Sequence, residues 1–329
     1  INKKMKILVR LPNWLGDMVM SVAFIKQLDH FFPGAEISVI AKEGIHELLP
    51  LFPAVRHTFI FSKKKYRGFK GLFKFGREIR KIEQFDLFFS LPNSFSSALI
   101  GFATGAKKRI GYKQEFRQIL LTDAFQKPLG LHRAEEYVSL LEQFTGMKSL
   151  RLNVSLNQSL HENGSLIVNI NSEASSRRLT TNKAIQLLSG LRNSLPSRIL
   201  VIGSSKERVF VEEVISALPD KNNIENLAGR TSLIQLAEVL GTARVMLTTD
   251  SGPAHLANAL RTHTIVLFGA GNESHTAPYN NDYRTIIRLG KLSCEPCEKN
   301  VCNRFTIPEC LEQLDNRIII NEVKKRLNE

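Results

Sequence analysis

Short apolar runs alternate with amphipathic stretches along almost the whole chain. The apolar runs have the length of buried strands, and the stretches between them repeat apolar residues every three or four positions, as helices do. In the first such stretch, residues 17–32, the residues that share one apolar face are Met18, Val22, Ile25, Leu28 and Phe32. Because strands and helices take turns, the pattern predicts a parallel α/β architecture.

This alternation runs through the chain twice. In the first half it predicts strands at 6–11, 36–41, 57–61 and 86–91, and helices at 17–32, 44–49, 69–82, 94–102 and 135–144. In the second half it predicts strands at 165–170, 198–202, 244–248, 262–268 and 283–289, and helices at 182–194, 206–218, 253–260 and 316–327. Two such halves predict two Rossmann-like domains facing across a cleft.

The break between the halves falls in a polar, irregular stretch between Gly146 and Gly164, which is typical of a linker. We place the boundary so that the two predicted domains are residues 1–155 and 156–329. A chain of 329 residues also suits two domains better than one.

Composition excludes several classes of protein. Hydrophobic residues make up 43% of the chain, which is enough for two ordinary cores and too much for a disordered protein. No apolar run reaches the length of a membrane span, and the first residues pass directly into a strand pattern without the features of a signal peptide. These observations predict a cytoplasmic location.

The charge balance indicates an anionic partner. The formal net charge is +14 and the sequence pI is near 9.7. Nucleic acid, an acidic membrane surface and an acidic substrate would all fit such a balance. Part of the excess is concentrated in residues 63–81, where basic and aromatic residues mix. That segment could contact a membrane or an acidic acceptor, or it could be a solvated surface.

The loop after the first predicted strand is the first candidate site. In open α/β sheets ligands bind beyond the carboxyl ends of the strands, which is where residues 11–17 lie. Gly16 allows a tight turn. Asp17 is either the N-cap of the following helix or a catalytic carboxylate, and its residue type alone favours the N-cap.

A second candidate is the segment Asp250-Ser251-Gly252-Pro253-Ala254-His255, which joins a strand to a helix. Pro253 suits a first helical turn, and the free N–H groups around it would converge on one point, as in an anion site suited to a diphosphate. The alternative is a capped helix with a buried His255. The Arg177-Arg178 pair could bind phosphate or be a solvated surface pair.

Two further features carry weaker signals. Gly269-Ala270-Gly271 half-resembles a dinucleotide fingerprint, which keeps a Rossmann-type dehydrogenase as a distant alternative. The four cysteines are spaced in a way that permits a metal site but fits no common framework, so free thiols are favoured; they are Cys294, Cys297, Cys302 and Cys310.

Taken in order, the motifs resemble glycosyltransferase family 9, the lipopolysaccharide heptosyltransferases, and within it the heptosyltransferase II branch. The segments that carry the resemblance are Leu15-Gly16-Asp17-Met18, Leu91-Pro92-Asn93-Ser94-Phe95, Arg109-Ile110-Gly111-Tyr112, Leu120-Leu121-Thr122-Asp123, Asn226-Leu227-Ala228-Gly229, Asp250-Ser251-Gly252-Pro253-Ala254-His255 and Leu267-Phe268-Gly269. Each motif alone is weak, but the ordered set spans nearly the whole chain and is fairly specific.

The resemblance implies a GT-B fold with an acceptor domain at 1–155 and a nucleotide-sugar donor domain at 156–329. The final helix, about 316–328, is then a candidate to pack back on the first domain. The implied reaction is inverting, metal-independent transfer of heptose from ADP-heptose to the lipopolysaccharide inner core, without a cofactor. Another nucleotide sugar or acceptor within the family is the alternative.

The resemblance also implies partners and a place of action. The partners are an ADP-activated sugar, a lipid A–core oligosaccharide and the anionic inner membrane surface, with no nucleic acid. The enzyme would then be cytoplasmic and peripheral at the inner face of the cytoplasmic membrane.

Residue roles follow from the same resemblance. Asp17 matches the family's proposed general base, Arg177 a phosphate-binding position that is usually Lys, and Glu207 a carboxylate that contacts the nucleoside. The residues that match diphosphate and donor-sugar contacts are Asp250, Ser251, Gly252 and His255. The acceptor-side candidates are Asn13, Asn93, Arg109 and Arg117.

This chain departs from the family pattern at two places in the implied donor site. Leu179-Thr180 stands where Trp-Pro is usual, and the turn 171–174 is not Pro-Gly-Ala-like.

Overall fold

The computed structural model describes residues 4–114, 116–157 and 164–329. The chain divides into two compact units, Ile1–Asn157 and Gln158–Glu329. Residues 158–163 of the predicted linker lie outside the described residues.

The first unit is built on a six-stranded parallel sheet. Its strands are β1 (Lys6–Arg10), β2 (Glu36–Lys42), β3 (Val55–Phe61), β4 (Leu87–Ser90), β5 (Lys108–Tyr112) and β6 (Asp123–Phe125). They are ordered β3-β2-β1-β4-β5-β6, and every neighbouring pair is parallel. The strand order reverses between β1 and β4, so the loops after these two strands flank the switch point where such sheets bind ligands.

The helices of the first unit are α1 (Leu15–Met20), α2 (Val22–Phe31), α3 (Gly68–Ile82), α4 (Phe95–Thr104) and α5 (Arg133–Thr145). Short 3-10 turns occupy Ile45–Leu51 and Arg117–Leu120. The single helix predicted over 17–32 is interrupted at Ser21, whose hydroxyl donates to the Met18 carbonyl at 2.6 Å. A side chain that bonds a carbonyl of its own helix in this way often bends the helix.

The helices α3 and α4 pack closely on one another and on the sheet. Gly101 of α4 lies directly on the Phe88 ring, because a Cβ there would come within 2.3 Å of it. Phe75 and Ile79 of α3 join Phe88 in the same buried cluster. The side of α3 that faces away from this cluster is exposed to solvent.

The second unit repeats the same sheet. Its strands are β7 (Leu166–Asn169), β8 (Ile199–Val201), β9 (Ile224–Asn226), β10 (Val245–Thr249), β11 (His263–Phe268) and β12 (Arg284–Arg288). Their order is β12-β11-β10-β7-β8-β9, again all parallel, so the switch point lies between β7 and β10.

The helices of the second unit are α6 (Thr181–Ser194), α7 (Arg208–Ser216), α8 (Leu233–Thr242), α9 (Gly252–Ala259), α10 (Glu273–Thr276), α11 (Glu309–Glu312) and α12 (Asn316–Asn328). The apolar face of α12 is buried in this unit's own core through Ile319 and Val323. The packing of the final helix, about 316–328, on the first unit stays a prediction. Among the residues that the structure describes, no helix combines the length and apolarity needed to cross a bilayer.

Candidate active site

Asp17 lies at the start of α1, in the loop that follows β1. Trp14 occupies the N-cap position and Asp17 is the third residue of the helix, so the N-cap interpretation favoured by its residue type is wrong. Its side chain keeps 29% of its surface exposed. Burial raises the pKa of the Asp17 carboxyl above its ordinary value, although the Arg133 charge and a hydrogen bond from Tyr137 oppose that rise.

Two side chains of α5 hold the Asp17 carboxylate. The Tyr137 hydroxyl donates to Asp17 Oδ1 at 3.4 Å, and Arg133 Nε lies 3.6 Å from the same oxygen. Burial, followed by the nearby Asp17 charge, raises the pKa of Tyr137 well above its usual range, so the phenol keeps its proton and acts as a donor. Neither Tyr137 nor Arg133 was predicted from the sequence.

The Arg133 side chain is itself fixed by Glu136. Arg133 Nη1 lies 3.0 and 2.9 Å from the two Glu136 carboxylate oxygens, and Lys127 Nζ lies 3.1 Å from Glu136 Oε2. The spacing of Arg133, Glu136 and Tyr137, i, i+3 and i+4, places them on one helical face, and this spacing was the signal available in the sequence.

Two of the four acceptor-side candidates follow β1 and β4, the strands beside the switch point. Asn13 accepts a hydrogen bond from Arg10 Nη2 at 2.6 Å, and Asn93 lies between β4 and the Ser94 cap of α4. Arg10 is buried, which lowers the pKa of its guanidinium to about 10. Asn13 and Asn93 therefore lie at the sheet edge expected for a ligand.

The other two acceptor-side candidates serve the fold instead. Arg117 is fully buried and donates a hydrogen bond to the Pro92 carbonyl, so it stabilises the loop that carries Asn93. Arg109 lies near the amino end of β5, where its Nε and Nη1 donate to the carbonyls of Leu120 and Ala106, both at 2.9 Å. A parallel sheet binds ligands at the carboxyl ends of its strands, so Arg109 lies at the edge opposite the one expected for an acceptor.

Arg177 and Asp250 form an ion pair in the second unit. Arg177 Nη1 lies 3.1 Å from Asp250 Oδ2, and the Asp250 side chain is only 6% exposed. Burial raises the pKa of the Asp250 carboxyl, and the positive charges of Arg177 and Arg288 oppose that rise. Gly271 makes room for this carboxylate, because a Cβ at that position would lie 2.1 Å from Asp250 Oδ2.

The start of α9 has no side-chain cap. Ser251 occupies the N-cap, but its Oγ accepts from Asn169 Nδ2 at 2.9 Å and lies 3.1 Å from Thr248 Oγ1 rather than capping the helix. Pro253 follows in the first turn, where the missing N–H costs nothing. The partial positive charge of this helix start, with Gly252 as its first residue, suits a diphosphate. His255 is buried within the same turn.

The departures from the family pattern have structural roles. The Asn171 carbonyl accepts from Thr249 Oγ1 at 2.6 Å, and Ser172 Oγ donates to the Asp250 carbonyl at 3.3 Å. Thr180 caps α6 by accepting from the Lys183 N–H at 3.1 Å, while Leu179 is buried in the core. The turn 171–174 is therefore hydrogen-bonded to the segment that carries Asp250.

Glu207 lies in the turn after β8, and its Oε2 accepts from the Ser204 N–H at 2.7 Å. Because β8, β7 and β10 are neighbours, Glu207, Arg177 and Asp250 all follow the carboxyl ends of adjacent strands. The structure thus brings the predicted donor-side residues to one edge of the second sheet.

The cysteine-rich segment lies against this edge through its backbone. The Ser176 N–H donates to the Asn300 carbonyl at 3.2 Å, and the Glu298 N–H donates to the Ala270 carbonyl at 2.8 Å. All four cysteines are free thiols, and burial raises the pKa of Cys310 to about 11. Within the described ranges no three His, Cys, Asp or Glu side chains are grouped to hold a metal ion. The described residues therefore provide no group of ligands for the metal site that the cysteine spacing permits.

One Rossmann-type unit carries a partly buried carboxylate with a raised pKa, and the other carries a helix start suited to an anion. These features are typical of a nucleotide-sugar glycosyltransferase with a GT-B fold. The sequence model of glycosyltransferase family 9 (heptosyltransferase) matches residues 72–172 and 191–306, so the chain belongs to this family. The predicted fold class, family and enzyme class are thereby confirmed, and the dehydrogenase alternative loses its support.

Relatives and solved structures agree with this assignment. The chain is 26% identical to lipooligosaccharide heptosyltransferase 2 of Campylobacter jejuni, over 98% of this chain and 99% of that protein. It is 28% identical to lipopolysaccharide heptosyltransferase 2 of Escherichia coli, over 87% and 88% of the two chains. The structure of Escherichia coli ADP-heptose lps heptosyltransferase II superposes with a TM-score of 0.82, at 25% identity and 98% coverage of both chains.

Proposed function

We propose that this glycosyltransferase moves heptose from ADP-heptose to the inner core of lipopolysaccharide, with inversion at the anomeric carbon. The names of the full-length relatives support this donor and acceptor. The observation that carries the chemistry is the setting of Asp17, a partly buried carboxylate with a raised pKa, contacted by a phenol and a guanidinium beside the β1–β4 switch point.

Asp17 acts as the general base in this proposal. It takes the proton from the acceptor hydroxyl while that oxygen attacks the anomeric carbon and the bond to ADP breaks. The raised pKa of Asp17 makes it a better proton acceptor than an ordinary aspartate once it is ionised. Asn13 and Asn93 are the proposed acceptor contacts, which makes residues 1–155 the acceptor domain.

The donor is proposed to bind at the second unit, residues 156–329. Negative charge develops on the diphosphate as ADP leaves, and the groups proposed to stabilise it are Arg177 and the uncapped start of α9. Ser251, Gly252 and His255 belong to that helix start, and Glu207 is the proposed nucleoside contact. Asp250 holds the Arg177 guanidinium in position through the 3.1 Å ion pair.

The proposed place of action is the inner face of the cytoplasmic membrane. The acceptor in this proposal is lipid-anchored, and the net charge of +14 suits an anionic surface. The protein would therefore work from the cytoplasm as a peripheral protein.

The test is a transfer assay with purified enzyme, inner-core lipopolysaccharide acceptor and a panel of nucleotide sugars. We expect product with ADP-heptose and little with ADP-glucose or with heptose linked to other nucleotides, and mass spectrometry should show an added heptose. Robust transfer from a different nucleotide sugar, with none from ADP-heptose, would replace the donor in this proposal while leaving the enzyme class unchanged.

A further inference from the structure

The outward side of α3 carries a stripe of cations. The helix buries Phe75, Gly76 and Ile79 against the first unit. Four exposed basic residues, spaced i, i+4, i+7 and i+11, share the side that points away from that core: Lys70, Lys74, Arg77 and Lys81. We call these four residues the α3 stripe.

Little negative charge compensates this surface. Residues 62–82 contain nine Lys and Arg residues and a single acidic residue, Glu78. Glu78 accepts a hydrogen bond from the Tyr66 hydroxyl at 2.5 Å and lies 4.0 Å from Lys74 Nζ. One exposed pair at that distance is weak, so the segment keeps a strong positive field.

Exposed aromatic rings lie beside the stripe. Phe69 is 68% exposed and Phe73 is 38% exposed, in the first two turns of α3. The Phe69 ring meets Phe95 edge-on at 5.9 Å, and the Arg77 guanidinium lies 5.9 Å from the Phe73 ring centroid. Basic residues beside aromatic side chains are typical of a helix that lies in the interface of a bilayer.

We propose that the α3 stripe, with Phe69 and Phe73, docks the first unit on a bilayer rich in anionic phospholipid. The proposal rests on the proposed function in one respect: a lipid-anchored acceptor gives such docking its purpose. The cations bind the headgroup layer, and the two rings enter the boundary between headgroups and acyl chains. Duplex nucleic acid would match the charge, but its paired and stacked bases would give the two phenylalanines no apolar surroundings, so the bilayer fits better.

The test measures binding to vesicles without any substrate. Wild type should bind vesicles of phosphatidylglycerol and phosphatidylcholine and bind phosphatidylcholine alone poorly. The variant K70E/K74E/R77E/K81E should lose at least about a hundredfold in partitioning, since each cation near such a surface is worth about 1 kcal/mol. A matched control changes four other exposed cations by the same total charge: K148E/R151E/K221E/K325E. It should stay within a few-fold of wild type.

Equal losses in the two quadruple variants, or unchanged binding in the α3-stripe variant, would overturn the proposal. The double variant F69S/F73S separates a bilayer from other polyanions. It should weaken vesicle binding and leave binding to double-stranded DNA unchanged; normal vesicle binding by this variant would contradict docking through the rings. Thermal melts verify that each variant folds.

Turnover on detergent-dispersed acceptor distinguishes this proposal from the proposed function. The α3-stripe variant should retain wild-type turnover there, because no bilayer is present. If wild type fails to use ADP-heptose but the vesicle results hold, the proposed function is wrong and the docking surface stands.

Discussion

The Tyr137 hydroxyl donates to Asp17 Oδ1 at 3.4 Å, while Arg133 Nε approaches the same oxygen at 3.6 Å. Both contacts favour the ionised carboxylate, whereas burial favours the protonated one, and the balance leaves the pKa of Asp17 raised. The two α5 residues thus limit how far burial can shift the pKa of the proposed base.

Replacing either partner should move the pH profile in a defined direction. Tyr137→Phe removes a hydrogen bond to the ionised form, and Arg133→Gln removes a positive charge, so both raise the pKa of Asp17 further. The base must be ionised to act, so the acidic limb of kcat/KM should shift to higher pH in both variants. Arg133→Lys keeps the charge and should shift it less. An acidic limb at the wild-type pH in Arg133→Gln would contradict the electrostatic role of this residue.

Removing the base itself should abolish most turnover. We expect Asp17→Asn to lower kcat by about 10²- to 10⁴-fold, as for a positioned general base, because the amide cannot accept the proton. ADP binding, measured by calorimetry, should be unchanged, since Asp17 lies in the first unit and the proposed donor site in the second. Near-wild-type kcat in Asp17→Asn would remove Asp17 from the mechanism.

The Arg177–Asp250 pair predicts an effect on both binding and stability. Arg177→Ala should weaken ADP binding by about tenfold or more, because one charge-assisted phosphate contact is worth about 1.5–3 kcal/mol. It should also lower the Tm, since it removes the 3.1 Å partner of a buried carboxylate. Arg177→Lys, the residue usual in the family, should retain most of the affinity. Unchanged ADP affinity in Arg177→Ala would mean that this arginine has only a structural role.

Sequence periodicity predicted most of the long, amphipathic elements but missed one helix and several short strands. Strand β9, Ile224–Asn226, has only three residues, too few to show alternation. Helix α8, Leu233–Thr242, was also missed, although its Ser232 and Gln235 form a capping box that a closer search of the sequence could have found. Local spacing also could not reveal that Ser21 would interrupt the first long helix.

The residues of the candidate site could likewise be predicted only in part from the sequence. The sequence placed Asp17, Arg177, Glu207 and Asp250 after strands, and the parallel sheets bring them to their carboxyl edges. It could not reveal Tyr137, because that residue lies 120 positions from Asp17 in the chain and meets it only through the packing of α1 on α5. Residue type also misled for Arg117, since a buried arginine that supports a loop looks the same in sequence as one that binds an anion.

Gly271 provides a last test of how closely the donor site is packed. A Cβ at this position would lie 2.1 Å from Asp250 Oδ2, so Gly271→Ala must displace the carboxylate and its contact with Arg177. We expect a loss of about 1–3 kcal/mol in the free energy of unfolding, as for other overpacked sites, and weaker ADP binding. In an Asp250→Ala background the contact with the carboxylate is gone and the Phe268 ring, at 3.2 Å, is a much milder neighbour, so the same substitution should cost much less, and a double-mutant cycle measures that coupling. If Gly271→Ala costs the same stability in both backgrounds, the glycine serves some purpose other than admitting the Asp250 carboxylate.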